Sequence, residues 1–157
     1  MTEVGTDAAE ALSSFLSDAR CRLERALIAR FGLDDGLEAA SEAMVFAVAH
    51  WPRLRAMENP LGYLYRVGET SGRRLTRRWE PFDVLVHEPC TEDGVVDVDL
   101  QRALVRLKPA QRVAVVLVHG HGHSYREAAE VLDVPITTVT NDLHRGLARL
   151  RSILERP

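Results

Sequence analysis

Between Ser124 and Leu150 the chain carries two helical registers that a short turn forces apart, and this stretch constrains the fold more than any other. Ser124 with Glu127 three residues on makes a capping box, so a helix is expected from Tyr125 to Leu132. Asp133 tolerates left-handed backbone better than most residues, and Pro135 forbids simple continuation of that helix. In a second helix opening at Ile136, the spacing of Val139, Leu143, Leu147 and Leu150 turns them inward. Thr137, Thr138, Thr140, Asn141, His144 and Arg145 are left outward, short polar groups of the kind that meet base edges and phosphates in a major groove. The pattern is a helix-turn-helix; periodicity alone fits any two-helix corner equally well.

Upstream, the apolar residues also recur at helical intervals. Leu12, Phe15, Ala19, Leu23, Leu27 and Phe31 share one face of a helix expected from about Asp7 to Phe31 and ended by Gly32. Leu37, Ala40, Met44, Val48 and Trp51 define a second stripe, on a helix from about Asp34 to His50 that closes before Pro52. Asn59 and Pro60 form a helix start, and Leu61, Leu64, Tyr65, Leu75 and Trp79 continue it. Gly68 and Gly72 interrupt this helix and imply either close packing or a looser segment.

From Glu80 to Asp99 the character changes: seven acidic residues face no lysine or arginine, and Pro81, Pro89 and Gly94 break regular structure. An acidic linker is expected at 80–97. Periodicity resumes with Leu100, Ala103, Leu104 and Leu107, then restarts after Pro109. The fold expected is all-α, with two small helical domains at 1–79 and 98–157 joined by that linker, the second a helix-turn-helix.

The longest apolar run, Val113 to Val118, is far short of the roughly 20 residues that cross a bilayer, and no basic stretch precedes an apolar one at the N-terminus. No membrane association and a cytoplasmic location are expected. Cys21 and Cys90 lie far apart in sequence and match no paired ligand spacing, so free thiols are expected. Net charge is −3, an awkward value for a protein that grips phosphates, so the distribution of charge matters more than its sum.

The run SYREAAEVLDVPITTVTNDLHRGLARLR resembles the C-terminal region of extracytoplasmic-function sigma factors. Leu107, Pro109, Gln111 and Arg112 follow the order of that family's lead-in helices. Glu42 and Ala43, then Trp51 to Arg55, then Asn59 to Val67 are similar to its N-terminal half. The resemblance implies a division of labour between the two ends. Glu38, Ser41 and Glu42 would contact the clamp of core RNA polymerase. Arg73, Arg74, Arg77, Arg78 and Trp79 would bind a separated strand at the −10 element through phosphates and stacking. Ser124, Tyr125, Arg126 and the outward residues of the second helix would read the −35 element of promoter DNA. The implied partners are core RNA polymerase and promoter DNA, with an anti-sigma factor or accessory activator beside them. No catalytic centre, cofactor or metal is implied.

The chain departs from the family at specific places. Thr140, Asn141 and Asp142 stand where a lysine, a small polar residue and an arginine are common, and Ser41 stands where a glutamine is usual. Met44 replaces an aromatic residue, Phe46 a polar or basic one, and Thr70 and Arg74 replace asparagine and aspartate. From Ser124 to Pro157 five arginines balance five carboxylates, so weak phosphate binding is expected. These departures define an alternative reading, a sigma-like regulator that acts mainly through protein partners or an activator.

The His119, His121, His123 run alternates with glycines and has the residue type for metal binding or pH sensing. No cysteine or carboxylate lies near in sequence to complete a site, so no metal is assigned.

Overall fold

The computed structural model describes residues 2–75 and 97–156, and the described residues are helical with no strand among them. Helix α1 (Thr2–Phe31) ends at Gly32, whose φ of 89° suits glycine and stops the helix. Helix α2 (Leu33–Ala49) follows at once, then the short α3 (Trp51–Leu54), with Pro52 in its first turn. Helix α4 (Pro60–Leu75) begins as expected, with the Asn59 Oδ1 accepting the Gly62 N–H at 3.0 Å. The expected acidic linker, its Cys90, and Arg77, Arg78 and Trp79 lie outside the described residues.

Helix α5 (Val98–Val105) starts on an Asp97 cap that accepts the N–H groups of Asp99 and Leu100. Helix α6 (Pro109–Val115) runs into a π-helical turn at Val116–Gly120. Helices α7 (Tyr125–Leu132) and α8 (Ile136–Leu154) are the two expected from the C-terminal pattern. Both parts of the capping box are present, and Asp133 is left-handed at φ 53°.

Leu23, Leu27 and Leu64 are completely buried where α1 meets α4, each contributing about 2 kcal/mol of apolar transfer. The glycines of α4 serve close packing: a Cβ on Gly68 would lie 2.5 Å from Leu27 Cδ1, and one on Gly72 would collide with the Phe31 ring. On α2 the expected stripe is corrected. The buried residues are Gly36, Ala39, Ala40, Ala43 and Ala47, while Val48 is 56% exposed. α2 crosses α1 so closely that a Cβ on Gly36 would lie 2.5 Å from the Ile28 Cα, so small residues line the contact and larger apolar ones turn aside.

The two ends of the chain share one buried core. Arg112 of α6 is 3% exposed and sends Nε to Ala29 O at 2.7 Å and Nη2 to Arg30 O at 2.9 Å, capping the last turn of α1. Its Nη1 meets Leu107 O at 3.3 Å and Val105 O at 3.4 Å within its own end of the chain. Burial, and secondly the nearby Arg30, lower its pKa to about 10, so it remains a cation at neutral pH. The free-thiol expectation is corrected at Cys21, which is disulfide-bonded. Separation along the chain had placed no bound on separation in space.

Candidate nucleic-acid interface

The helix-turn-helix owes its geometry to three local devices. Ser124 Oγ accepts the Glu127 N–H and Glu127 Oε2 accepts the Ser124 N–H, both at 3.0 Å, which fixes where α7 starts. Asp133 reverses the chain, and Pro135 fixes the approach to α8. Val139, Leu143, Gly146 and Leu150 then anchor α8 by its buried stripe.

On the opposite side Thr137, Asn141, His144 and Arg145 form one exposed stripe, while Ser124, Tyr125 and Arg126 are exposed at the start of α7. These seven residues are exposed to solvent, as the helical register predicts. Thr138 and Thr140 differ, because both are half-buried. The Thr140 hydroxyl donates to Ile136 O at 2.9 Å, so it is already engaged within its own helix. Thr138 and Asp142 turn toward the N-terminal end, lining a cavity of about 90 Å³ with Arg30, Tyr65 and Glu69. Asp142 thus faces protein, and its negative charge weighs less on the exposed stripe than the sequence implies. Tyr65 at that cavity has its pKa raised by burial first and by Glu69 second, so its hydroxyl stays protonated.

In the N-terminal half, Glu38 and Ser41 are exposed on α2, with Glu42 half-buried beside them. Val45 at 69% and Val48 at 56% exposure extend the same face with apolar surface. Val45 went unnoticed in the sequence because it lies off the predicted stripe; the signal for it was the run of small residues that forms the actual contact.

Arg73 and Arg74 are exposed at the end of α4, and both have carboxylate neighbours. Arg74 Nη2 bonds Glu42 Oε2 at 3.0 Å, and Arg73 Nη2 lies 3.8 Å from Glu69 Oε2. Two residues expected to serve different partners, Glu42 and Arg74, are therefore paired to each other. Such exposed pairs contribute no more than about 1 kcal/mol and exchange readily.

The histidines diverge in environment. His119 is exposed, His121 half-buried and His123 buried, and among the described residues no cluster of three potential ligands is present. His123 lies buried with Nδ1 unpaired, and its pKa is lowered by desolvation first and by the Arg25 charge second.

Among the described residues, no helix is long and apolar enough to cross a membrane. Residues 97–150 match the family described as Sigma-70, region 4. The chain is 41% identical over 69 residues to an ECF RNA polymerase sigma factor, SigE, of Mycolicibacterium smegmatis, covering 44% of this chain and 27% of that protein. It is 43% identical over 68 residues to the RNA polymerase sigma-E factor of Streptomyces antibioticus, covering 43% of this chain and 38% of the relative. The matched stretch thus spans well under half the length of each of these relatives. In fold, the chain is similar to the sigma factor RpoE from Bartonella quintana, solved in complex with the anti-sigma factor NepR. The TM-score is 0.66 at 19% identity, covering 94% of this chain and 99% of that one. The helix-turn-helix segment is thus similar to sigma-70 region 4, the sequence relatives are ECF sigma factors, and the fold along nearly all the chain is similar to that of a solved sigma factor.

Proposed function

We propose that this chain binds core RNA polymerase and directs promoter-specific initiation in the cytoplasm, with no catalytic centre of its own. The observation that carries the reading is the exposed Thr137, Asn141, His144, Arg145 stripe on the second helix of a helix-turn-helix that matches sigma-70 region 4. Residues 98–157 take the −35 element, with Ser124, Tyr125 and Arg126 at the DNA backbone. Residues 1–79 take polymerase through Glu38, Ser41, Glu42 and the adjoining Val45 and Val48, and the −10 strand through Arg73, Arg74, Arg77, Arg78 and Trp79. The span 80–97 acts as the linker between them. An anti-sigma factor is a further proposed partner, since the RpoE of similar fold is held by one.

Footprinting of the chain with core polymerase on genomic promoter fragments tests the assignment. Protection centred on the −35 element, lost in Asn141→Ala with Arg145→Ala while polymerase binding persists, is the expected result. Protection unaffected by that double variant contradicts the role given to α8.

A further inference from the structure

We propose that the pocket where the ends of α1 and α4 meet the connection from α5 to α6 binds a small amphipathic anion, a carboxylate carried on an apolar body. The pocket measures about 440 Å³, within the range of roughly 300–1,000 Å³ in which small-molecule sites fall. Phe31 closes α1, Val105 closes α5, and Leu107 and Pro109 follow on the way into α6. These four make its apolar wall, and Arg30, Arg73 and Arg112 bring positive charge to it.

The charge around the pocket is unbalanced among the described residues. Arg30 Nε lies 3.4 Å from Glu69 Oε1 and Arg73 Nη2 lies 3.8 Å from Glu69 Oε2, so two guanidiniums share one carboxylate. The next carboxylate along this face, Glu42, is held by Arg74 at 3.0 Å. Arg30 Nε is also buried with no hydrogen-bond acceptor. Arg112, 3% exposed, is a third cation in the wall, and the depression of its pKa by the charge of Arg30 shows that the two sit in each other's field. A carboxylate entering here supplies the missing counter-charge. Arg73 is exposed and held only at 3.8 Å, so its planar fork is able to turn onto the incoming group.

The rest of the lining selects for an apolar body. Phe31 is fixed as a rigid surface, with the Arg30 guanidinium 5.5 Å from its ring centroid and the ring packed so closely on α4 that a Cβ at Gly72 would collide with it. No lining side chain is a hydrogen-bond acceptor, so a sugar or base would leave its donors unpaired. An alkyl chain loses nothing there. Each methylene that it buries raises affinity about fourfold.

The test is an NMR titration of the full chain with octanoate, beside acetate and 1-octanol, each of which lacks one half of the chemistry. Octanoate is expected to shift the amide signals of Phe31, Val105 and Leu107 and to bind at least about tenfold more tightly than either control. Arg73→Gln, at an exposed position, is expected to weaken octanoate about threefold to fivefold. Val105→Asp places a carboxylate on the wall itself and is expected to weaken it more, with the remaining signals showing that the fold persists. No shifts at millimolar octanoate, or shifts centred elsewhere, overturn the site. Octanol binding as tightly as octanoate overturns the anion, and acetate binding as tightly overturns the apolar body. An octanoate affinity unchanged in Arg73→Gln overturns the role given to the shared carboxylate.

Discussion

Arg112 is the residue on which most of the long-range polar structure converges. Its guanidinium reaches two carbonyls of α1 and two near its own helix, and it is almost wholly buried. Arg112→Met keeps much of the stem's packing but strips four carbonyls of their donor, so stability falls by about 3 kcal/mol in urea denaturation. Arg112→Lys recovers only part of that, because one ammonium cannot span the fork. His123 makes a prediction in pH. Burial, with Arg25 second, depresses its pKa in the folded chain, while the unfolded chain takes up a proton near the ordinary value of about 6.5. The unfolded state thus binds more protons as pH falls, so this contribution to stability is present above that value and lost below it. Denaturation midpoints are expected to drop between pH 7 and pH 5, and His123→Gln flattens that slope.

Among the elements, α2 shows most clearly how packing and partner surface divide a helix. Gly36, Ala39, Ala40, Ala43 and Ala47 sit against the core, which leaves Val45 and Val48 on the face that also carries Glu38 and Ser41. Val45→Glu is expected to weaken core-polymerase binding about tenfold while shifting the denaturation midpoint little, a difference that binding and melting measurements separate. The sequence was a partial guide here. Helices with strong caps were legible, as at Ser124 with Glu127 and at Asn59 with Pro60, because capping is local chemistry. The α2 stripe was misread because hydrophobicity ranks leucine and valine above alanine and glycine, whereas a close crossing selects for small size. Gly68 and Gly72 left packing and looseness open until Leu27 and Phe31 were seen against them. Within α8 the buried register was readable, yet Thr138 and Asp142 face the other half of the molecule, a relation between distant segments that no local pattern carries.

At the scale of the whole molecule, the packing of the two halves accounts for residues that look costly in isolation. Asp133 binds Arg66, and Asp142 lines the cavity between the halves rather than the exposed stripe of α8. A net charge of zero from Ser124 to Pro157 is then compatible with the proposed promoter function, in which polymerase would supply additional affinity and tether the helix-turn-helix near its element. The resemblance to sigma factors was legible from ordered motifs, and the region 4 match at residues 97–150 and the ECF relatives agree with it. The packing of the two halves on each other was not legible, because Arg112 to Ala29 and Arg66 to Asp133 join positions far apart along the chain. The most direct test of the central claim is run-off transcription by purified core polymerase on genomic promoter fragments, with and without this chain. Discrete transcripts that appear only when the chain is added are the predicted result, whereas stable polymerase binding with no chain-dependent transcript would contradict an autonomous promoter-directing role.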